Sequence, residues 1–508
     1  MSAEKRALAA ACRQVLCLVL AACGGAADGG GGRAGTGEGV LAAGSGAGRG
    51  VSAGGGGPAA GGGIVIDNPV GIAGISGGIG GAGGAMVSPP LGCRNLQCQQ
   101  KECASGETTI SGKVYDPAGK NPLYNVAVFV PNAPVEPLQL GASCDCEKLY
   151  TGKPVVSTLT DAKGEFTLKN VPAGADIPLV IQIGKWRRQF TLPQVAECSD
   201  TRVPDKMLSL PRNHMQGDIP RIAISTGAAD TLECLLRRVG LDAAEYIGGA
   251  SGDNRIHIFQ GSRGNSGGGG MRDAPNTMPA APSSTIALWN SKDELMKYDI
   301  LLLSCEGAET KGMNQQALHD YASAGGRVFA SHFHYSWFNS GPYASENLAT
   351  WSAGSNAMGD IGAKIVTDFP KGMALHGWLQ SNNALVNGEL QIKEARHNAD
   401  VSMANTVSQA WILANQSANP PGATQYFSFN TPTDTMIGPD GKDYCGRVVF
   451  SDLHVGAASN DSETLSVPAS CTDGDLSPQE KALEFMLFDL SACVIPDDRP
   501  PVPPPVVL

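Results

Sequence analysis

Residues 321–334 read YASAGGRVFASHFH, and the fold of the chain turns on how this stretch is divided. Residues 314–326, NQQALHDYASAGG, carry apolar positions at helical spacing and close on two glycines, which predicts a helix that stops there. RVFA then follows without polar alternation, as in a strand buried on both faces. Upstream, residues 299–305 read DILLLSC, a second strand of the same kind. Strand, helix and strand in immediate succession imply parallel pairing through a crossover. His332 and His334 then fall where the second strand stops, the end at which open α/β sheets gather ligands.

The same rhythm extends in both directions. RIAIST at 221–226 reads as a strand and ADTLECLLRRVGL at 229–241 as a helix, with a glycine-rich interruption at 248–284. SQAWILA at 408–414, TQYFSFN at 424–430 and GRVVFSDLHV at 446–455 read as further strands. Ser477 as N-cap, Pro478 at the first helical position and Glu480 completing a capping box predict a final amphipathic helix. Residues 218–495 are therefore expected to form an α/β parallel-sheet domain. Beyond it, 496–508 is a proline-rich tail with too little side-chain variety to fold.

Residues 109–210 have a different pattern. Short β-rich runs alternate with turns such as Asp116-Pro117-Ala118-Gly119 and Asp161-Ala162-Lys163-Gly164, which predicts a small antiparallel β-sandwich over 91–212. Cys93, Cys98, Cys103, Cys144, Cys146 and Cys198 lie in or beside it, so three disulfides within this module are expected, with the pairing open.

The N-terminus sets the redox compartment. Lys5, Arg6 and Arg13 precede a short apolar run suited to a signal peptide over 1–23, and Leu20-Ala21-Ala22-Cys23 resembles the bacterial lipobox, whose cysteine is lipidated. Residues 24–90 are almost wholly glycine, alanine and serine and are expected to be a disordered linker. With the signal peptide removed and Cys23 lipidated, eleven of the fourteen cysteines remain. An odd number implies a free thiol or an intermolecular bond. A net charge of -11 without basic patches argues against nucleic acid as a partner.

Two stretches carry family resemblances. ISGKVYDPAGKNPLYNVAVFV followed by TDAKGEFTLKNVPAG resembles the carboxypeptidase regulatory-like domain, which implies a transthyretin-like Greek-key sandwich in a structural or accessory role, some members binding carbohydrate. KYDILLLSCEG, YASAGGRVFASHFHY and CGRVVFSDLHV resemble the ThuA-like branch of the class I glutamine amidotransferase-like fold, which implies a flavodoxin-like sheet. In amidotransferases a nucleophilic cysteine occupies a glycine-flanked elbow after the strand corresponding to RVFA. Here that place holds Ser331 or His332, so glutamine hydrolysis is not expected.

Three strand ends offer chemistry: Ser304-Cys305-Glu306, Ser331-His332-Phe333-His334 and Asp452-Leu453-His454. Ser331, His332, His334, Asp452 and His454 are the catalytic candidates, with Cys305 and Glu306 behind them, because a terminal buried cysteine is more often structural than nucleophilic. Imidazole and carboxylate together suit zinc or iron, so His332, His334, Asp452 and His454 form a candidate metal set, provided the strand continues through Phe333 and keeps both histidines on one face. His257, His319, His376 and His397 have no partner spacing. Tyr335, Trp337 and Phe338, with Tyr343 and Trp351 beyond, would suit the flat face of a sugar if they border a cleft. The expected role is therefore a lipid-anchored envelope protein acting as a binding module for a sugar or polysaccharide, with no cofactor beyond a possible metal. The alternatives are a hydrolase or metal-dependent enzyme on a sugar-like substrate, and a structural surface protein.

Overall fold

Phe166 and Leu168 point inward while Glu165, Thr167 and Lys169 face solvent, the alternation of a strand covered on one side only. This strand is β4 (Glu165–Lys169), one of eight in the module with β1 (Thr109–Tyr115), β2 (Ala127–Pro131), β3 (Pro154–Leu159), β5 (Gly174–Ile183), β6 (Trp186–Val195), β7 (Asp200–Arg202) and β8 (Leu208–Ser209). One sheet runs β4-β1-β7 with β8 also on β1, the other β3-β2-β5-β6. Pairing is antiparallel except where β7 and β8 run parallel to β1. Ile110, Val114, Val128, Phe166, Leu179 and Ile181 are among the side chains that fill the core of this β-sandwich. The computed structural model describes residues 92–507 apart from 228, 262–277, 279–280, 311, 435–443, 456–466, 470 and 472–473. All lie in one compact unit, Ala82–Leu508. The expected signal peptide with Cys23, the expected 24–90 linker and much of the 248–284 interruption fall outside the described residues.

The cysteine pairing departs from the expected three bonds within the sandwich. Cys93–Cys98 and Cys103–Cys198 are internal to it, but Cys144 bonds to Cys445 and Cys234 bonds to Cys471. Cys146, Cys305 and Cys493 are free thiols. Cys144 sits on the loop after β2, which reaches the second module, so its nearest sulfur lies 301 residues away in sequence.

The second module is built on one sheet of eleven strands. These are β9 (Ile222–Ser225), β10 (Tyr246–Gly248), β11 (Ile256–Phe259), β12 (Ile300–Leu303), β13 (Arg327–Ser331), β15 (Ala357–Ile365), β16 (Leu385–Val386), β17 (Glu389–Arg396), β19 (Ser408–Ala414), β20 (Thr424–Thr431) and β21 (Gly446–Ser451), while β14 (Thr350–Trp351) and β18 (Ala399–Asp400) pair separately. The order is β10-β11-β9-β12-β13-β21-β20-β19-β15-β17-β16. The first six run parallel and the last five pair antiparallel, so the sheet is mixed where the sequence implied a parallel one. Between β19 and β20 the cause is connection length: residues 415–423 are too few for a crossover helix, so the two strands pair antiparallel. The helices are α1 (Leu232–Val239), α2 (Ser284–Ala287), α3 (Lys292–Leu295), α4 (Gln315–Ser323), α5 (Pro370–Ser381) and α6 (Pro478–Ser491).

α6 begins with the capping box expected at Ser477 and Glu480. It is not amphipathic, however, because it lies between the modules and is covered on all sides. Phe485 stacks on Tyr124 at 5.6 Å and Phe488 meets Trp186 edge to face at 5.6 Å. Its buried charges are paired: Asp489 takes Lys371 at 2.8 Å and lies 3.4 Å from Arg447, whose guanidinium also reaches Asp497 at 2.7 Å. The proline-rich tail is ordered too. Val507 donates its N–H to Pro154 and Ser157 donates to the Pro504 carbonyl, so the tail covers β3, an edge that would otherwise present open backbone groups.

Candidate functional site

β12, β13 and β21 are adjacent and parallel, with Leu303 opposite Ala330 and Ser331 opposite Ser451, so their carboxyl ends share one rim. β13 stops at Ser331, and the next residue leaves strand geometry: His332 has φ +32° and begins a 3₁₀ turn through Trp337. A non-glycine residue in the left-handed region costs about 1–2 kcal/mol, a strain found repeatedly at functional turns. The strained elbow position is thus occupied by an imidazole.

Around it the described residues bring together a sulfur and two imidazoles. Cys305 Sγ lies 3.4 Å from His332 Nδ1, and one ligand-type atom from each of Cys305, His332 and His454 lies within 4.8 Å of the others. The His332 and His454 rings are 5.1 Å apart at 72°. All three residues are at most 2 % exposed. His332 Nε2 lies 3.2 Å from the Ser355 carbonyl. As an N–H donor there, it leaves the Nδ1 lone pair facing the thiol. His454 Nε2 is buried without a hydrogen-bond partner among the described residues. Gly227 lets the loop after β9 close on this point, since a β-carbon there would lie 2.1 Å from the Cys305 carbonyl oxygen.

The remaining candidates have other partners. Ser331 donates to Asp230 Oδ2 at 2.8 Å, while Asp230 Oδ1 accepts the N–H groups of Thr231 and Val455. Asp230 therefore ties the ends of β9, β13 and β21 together. Sequence reasoning missed it; the available signal was an aspartate just past an apolar strand run and just before a helix. His334 does not join His332, because the strand ends before Phe333 and the 3₁₀ turn carries His334 Nδ1 to within 2.9 Å of the Ser331 carbonyl. Asp452 stands outside the three-residue group as well: its Oδ2 accepts the Asn398 N–H at 2.8 Å. Glu306 is buried beside Gly261, where a β-carbon would lie 2.8 Å from Glu306 Oε1.

The aromatic expectation is corrected. Tyr335, Trp337 and Phe338 are fully buried and offer no face to a sugar. Phe338 packs on Tyr343 at 5.3 Å and stacks on Trp351 at 6.0 Å, and Trp337 meets Trp289 at 5.2 Å. A run of large apolar side chains straight after a buried strand is covered by the next layer, here β20, β21 and the loop around Trp351. His257, His319 and His397 bond to Tyr298, Glu346 and Asp400 respectively, and His376 is half-buried on α5.

Burial fixes the charge states of the rim. It lowers His332 to about 2, with His454 and Arg396 adding repulsion, and lowers His454 to about 3 and His334 to about 4. It raises the Cys305 thiol to about 12 and Asp452 to about 8. Cys305 and His332 thus meet as neutral thiol and neutral imidazole, unlike the thiolate–imidazolium pair of an activated nucleophile. Two imidazoles and a sulfur do form a ligand set. About 2.3 Å for Zn–S and 2.0–2.1 Å for Zn–N place sulfur and nitrogen ligands of a tetrahedral ion about 3.5 Å apart, close to the 3.4 Å between Cys305 and His332.

No family model matches the chain, and no curated protein matches it. Among solved structures, the chain is similar to part of a C-terminal interface mutant of a type II cohesin–X-dockerin complex from Acetivibrio cellulolyticus, at 16% identity, 24% coverage of this chain, 78% coverage of that one and a TM-score of 0.15. It is also similar to BcpA, the major pilin subunit of Bacillus cereus, at 13% identity, 21% and 30% coverage and a TM-score of 0.13. Scores this low carry no argument about fold or ligand. Among the described residues no helix is long and apolar enough to cross a membrane.

Proposed function

We propose that this chain is an exported envelope protein, held by a lipid on Cys23 and the 24–90 linker, whose mixed-sheet module binds a thiophilic d¹⁰ metal ion through Cys305, His332 and His454. The observation that carries the reading is the convergence of those three buried side chains within 4.8 Å at the ends of adjacent parallel strands. His332 bonds to the Ser355 carbonyl through its far nitrogen, the arrangement that orients histidine ligands in metal sites. Thiolate with imidazole favours zinc or copper(I) over magnesium or calcium, whose sites are built from oxygen. Binding would displace the Cys305 proton.

The family readings belong here as well. With the short edge strand β10 set aside, the parallel strands run β11-β9-β12-β13-β21, a doubly wound order of the flavodoxin-like kind, which supports kinship with the ThuA-like branch. The β-sandwich supports kinship with carboxypeptidase regulatory-like domains. With His332 at the elbow and Cys305 on the neighbouring strand end, the module is a binder that lacks amidotransferase chemistry. A carbohydrate ligand would need a surface other than Tyr335, Trp337 and Phe338.

The test is elemental analysis of the full mature protein purified without chelators. About one zinc or copper ion per chain is expected, lost on H332A, H454A or C305S and kept on H334A. Absence of stoichiometric metal, or equal loss on H334A, would overturn the metal reading. Retention of the metal-free protein on a polysaccharide column would favour sugar binding instead. C23S should release the protein from membranes, and continued membrane association would sink the lipid anchor.

A further inference from the structure

Four disulfides and the Cys305 thiol account for nine of the eleven cysteines downstream of Cys23, and the two left over are neighbours. Cys146 lies on the loop between β2 and β3 of the sandwich, and Cys493 follows the end of α6. Cys493 Sγ is 4.0 Å from the Cys146 carbonyl oxygen, which sets the two thiol-bearing residues against one another. Neither is fully buried, in contrast to Cys305. Cys146 also lines a small recess of about 40 Å³ together with Lys185, Asp299, Arg327 and Ser491.

The recess places a cation against the sulfurs. The Arg327 guanidinium donates to the Gly325 and Cys445 carbonyls, which holds it beside Cys146, and Cys445 is itself bonded to Cys144 two residues away. The neighbouring Cys493 thiol lowers Cys146 to about 7, with the Arg327 charge adding to the effect, while the same contact and burial raise Cys493 well above its ordinary range, so Cys146 is the member of the pair with thiolate character. A partly exposed thiol with thiolate character beside a second thiol is the arrangement of an exchange-active pair, whereas a buried neutral cysteine is inert.

We propose that Cys146 and Cys493 form a thiol–disulfide exchange site that closes into a fifth disulfide between the sandwich loop and the end of α6. In the closing direction, Cys146 thiolate attacks one sulfur of an external disulfide such as oxidised glutathione, forming a mixed disulfide and releasing one glutathione thiolate. Cys493 thiolate then attacks Cys146 Sγ, forming the internal bond and expelling the second glutathione thiolate. Two protein thiols are oxidised and one external disulfide is reduced to two thiols; the protons of Cys146 and Cys493 pass to solvent or to the departing thiolates. Reduction runs the same steps backwards. The bond would clamp the two modules at the base of α6 and leave Cys305 as the unpaired cysteine that the odd count requires.

The experiment uses the full chain recovered from an oxidising compartment, equilibrated in glutathione buffers of increasing reducing power, alkylated, digested without reduction and mapped by mass spectrometry. A Cys146–Cys493 cross-linked peptide is expected, lost at a reduced-glutathione ratio about tenfold or more below that needed to open the other four bonds. C493S is expected to take up one glutathione on Cys146 and none on Cys305. A Cys146–Cys493 bond that opens only together with the other four would mark a static brace and overturn the exchange site. So would free Cys146 and Cys493 in every buffer with no glutathione captured by C493S.

Discussion

Asp116 of the sandwich and Glu484 of α6 meet as two buried carboxyl groups across the seam between the modules, with Asn121 Nδ2 donating to Glu484 Oε2 at 2.8 Å. Burial and the neighbouring carboxyl hold Glu484 well above its usual value of 4.5, and burial raises Asp116 above 3.8. Two carboxylates in one dry site cannot both ionise, so the folded pair keeps a proton that the unfolded chain releases.

That linkage has a definite sign. Groups whose folded pKa is raised stabilise the native state fully below their unfolded values, about pH 4 here, and the contribution is lost as pH rises through the folded values. Glu484→Gln keeps an acceptor for Asn121 and supplies a permanent N–H for Asp116. Its urea midpoint should therefore fall less than that of the unmodified protein between pH 5 and pH 8, by the equivalent of about 1–3 kcal/mol at pH 8. The difference between the two curves is the readout, because Glu233 and Asp452, also raised to about 8, slope the same way in both proteins. Parallel curves would show that the pair does not share a proton.

How much of this was legible in sequence depends on whether periodicity or tertiary contact did the specifying. RVFA, DILLL and GRVVFS are buried on both faces, and Ser477, Pro478 and Glu480 form a local capping unit, so each could be read in place. The pleat also put His332 and His454 at strand ends, where they are found. What failed depends on neighbours absent from local sequence. Cys144 is paired by a loop that reaches the other module, α6 is enclosed between the sandwich and the mixed sheet, and the antiparallel half of that sheet is set by which distant strands meet. His334 was misplaced by two residues of strand length, since a strand continuing through Phe333 would have kept its period-2 partnership with His332. Cys305 was ranked low as a commonplace buried thiol, and only the distance to His332 changes its standing.

Trp337 separates core from ligand platform. It is fully buried against Trp289 and within 6.1 Å of the His334 ring. Trp337→Ala should cost about 3–5 kcal/mol of stability through the cavity it leaves. Retention of the remaining folded protein on any polysaccharide matrix should be unchanged. A variant of full thermal stability that loses retention would restore this ring as a sugar contact.

Asp230 gives the sharpest test of how the rim is held. Its carboxylate accepts from Thr231 and Val455 through Oδ1 and from Ser331 through Oδ2, so it fixes the backbone one residue from His454 and the side chain one residue before His332. It acts as a positioning residue, outside the ligand set. Asp230→Ala should weaken zinc about 10–100-fold, the usual scale for groups that orient ligands, while the saturating stoichiometry stays at about one ion per chain. Ser331→Ala removes one of the three bonds and should weaken zinc by less. Competition with a chromophoric chelator reads both constants, and urea unfolding of the metal-free proteins reads the stability change separately. An Asp230→Ala protein that loses stability but binds zinc as tightly as the parent would reduce Asp230 to a structural tie and remove it from the account of the site.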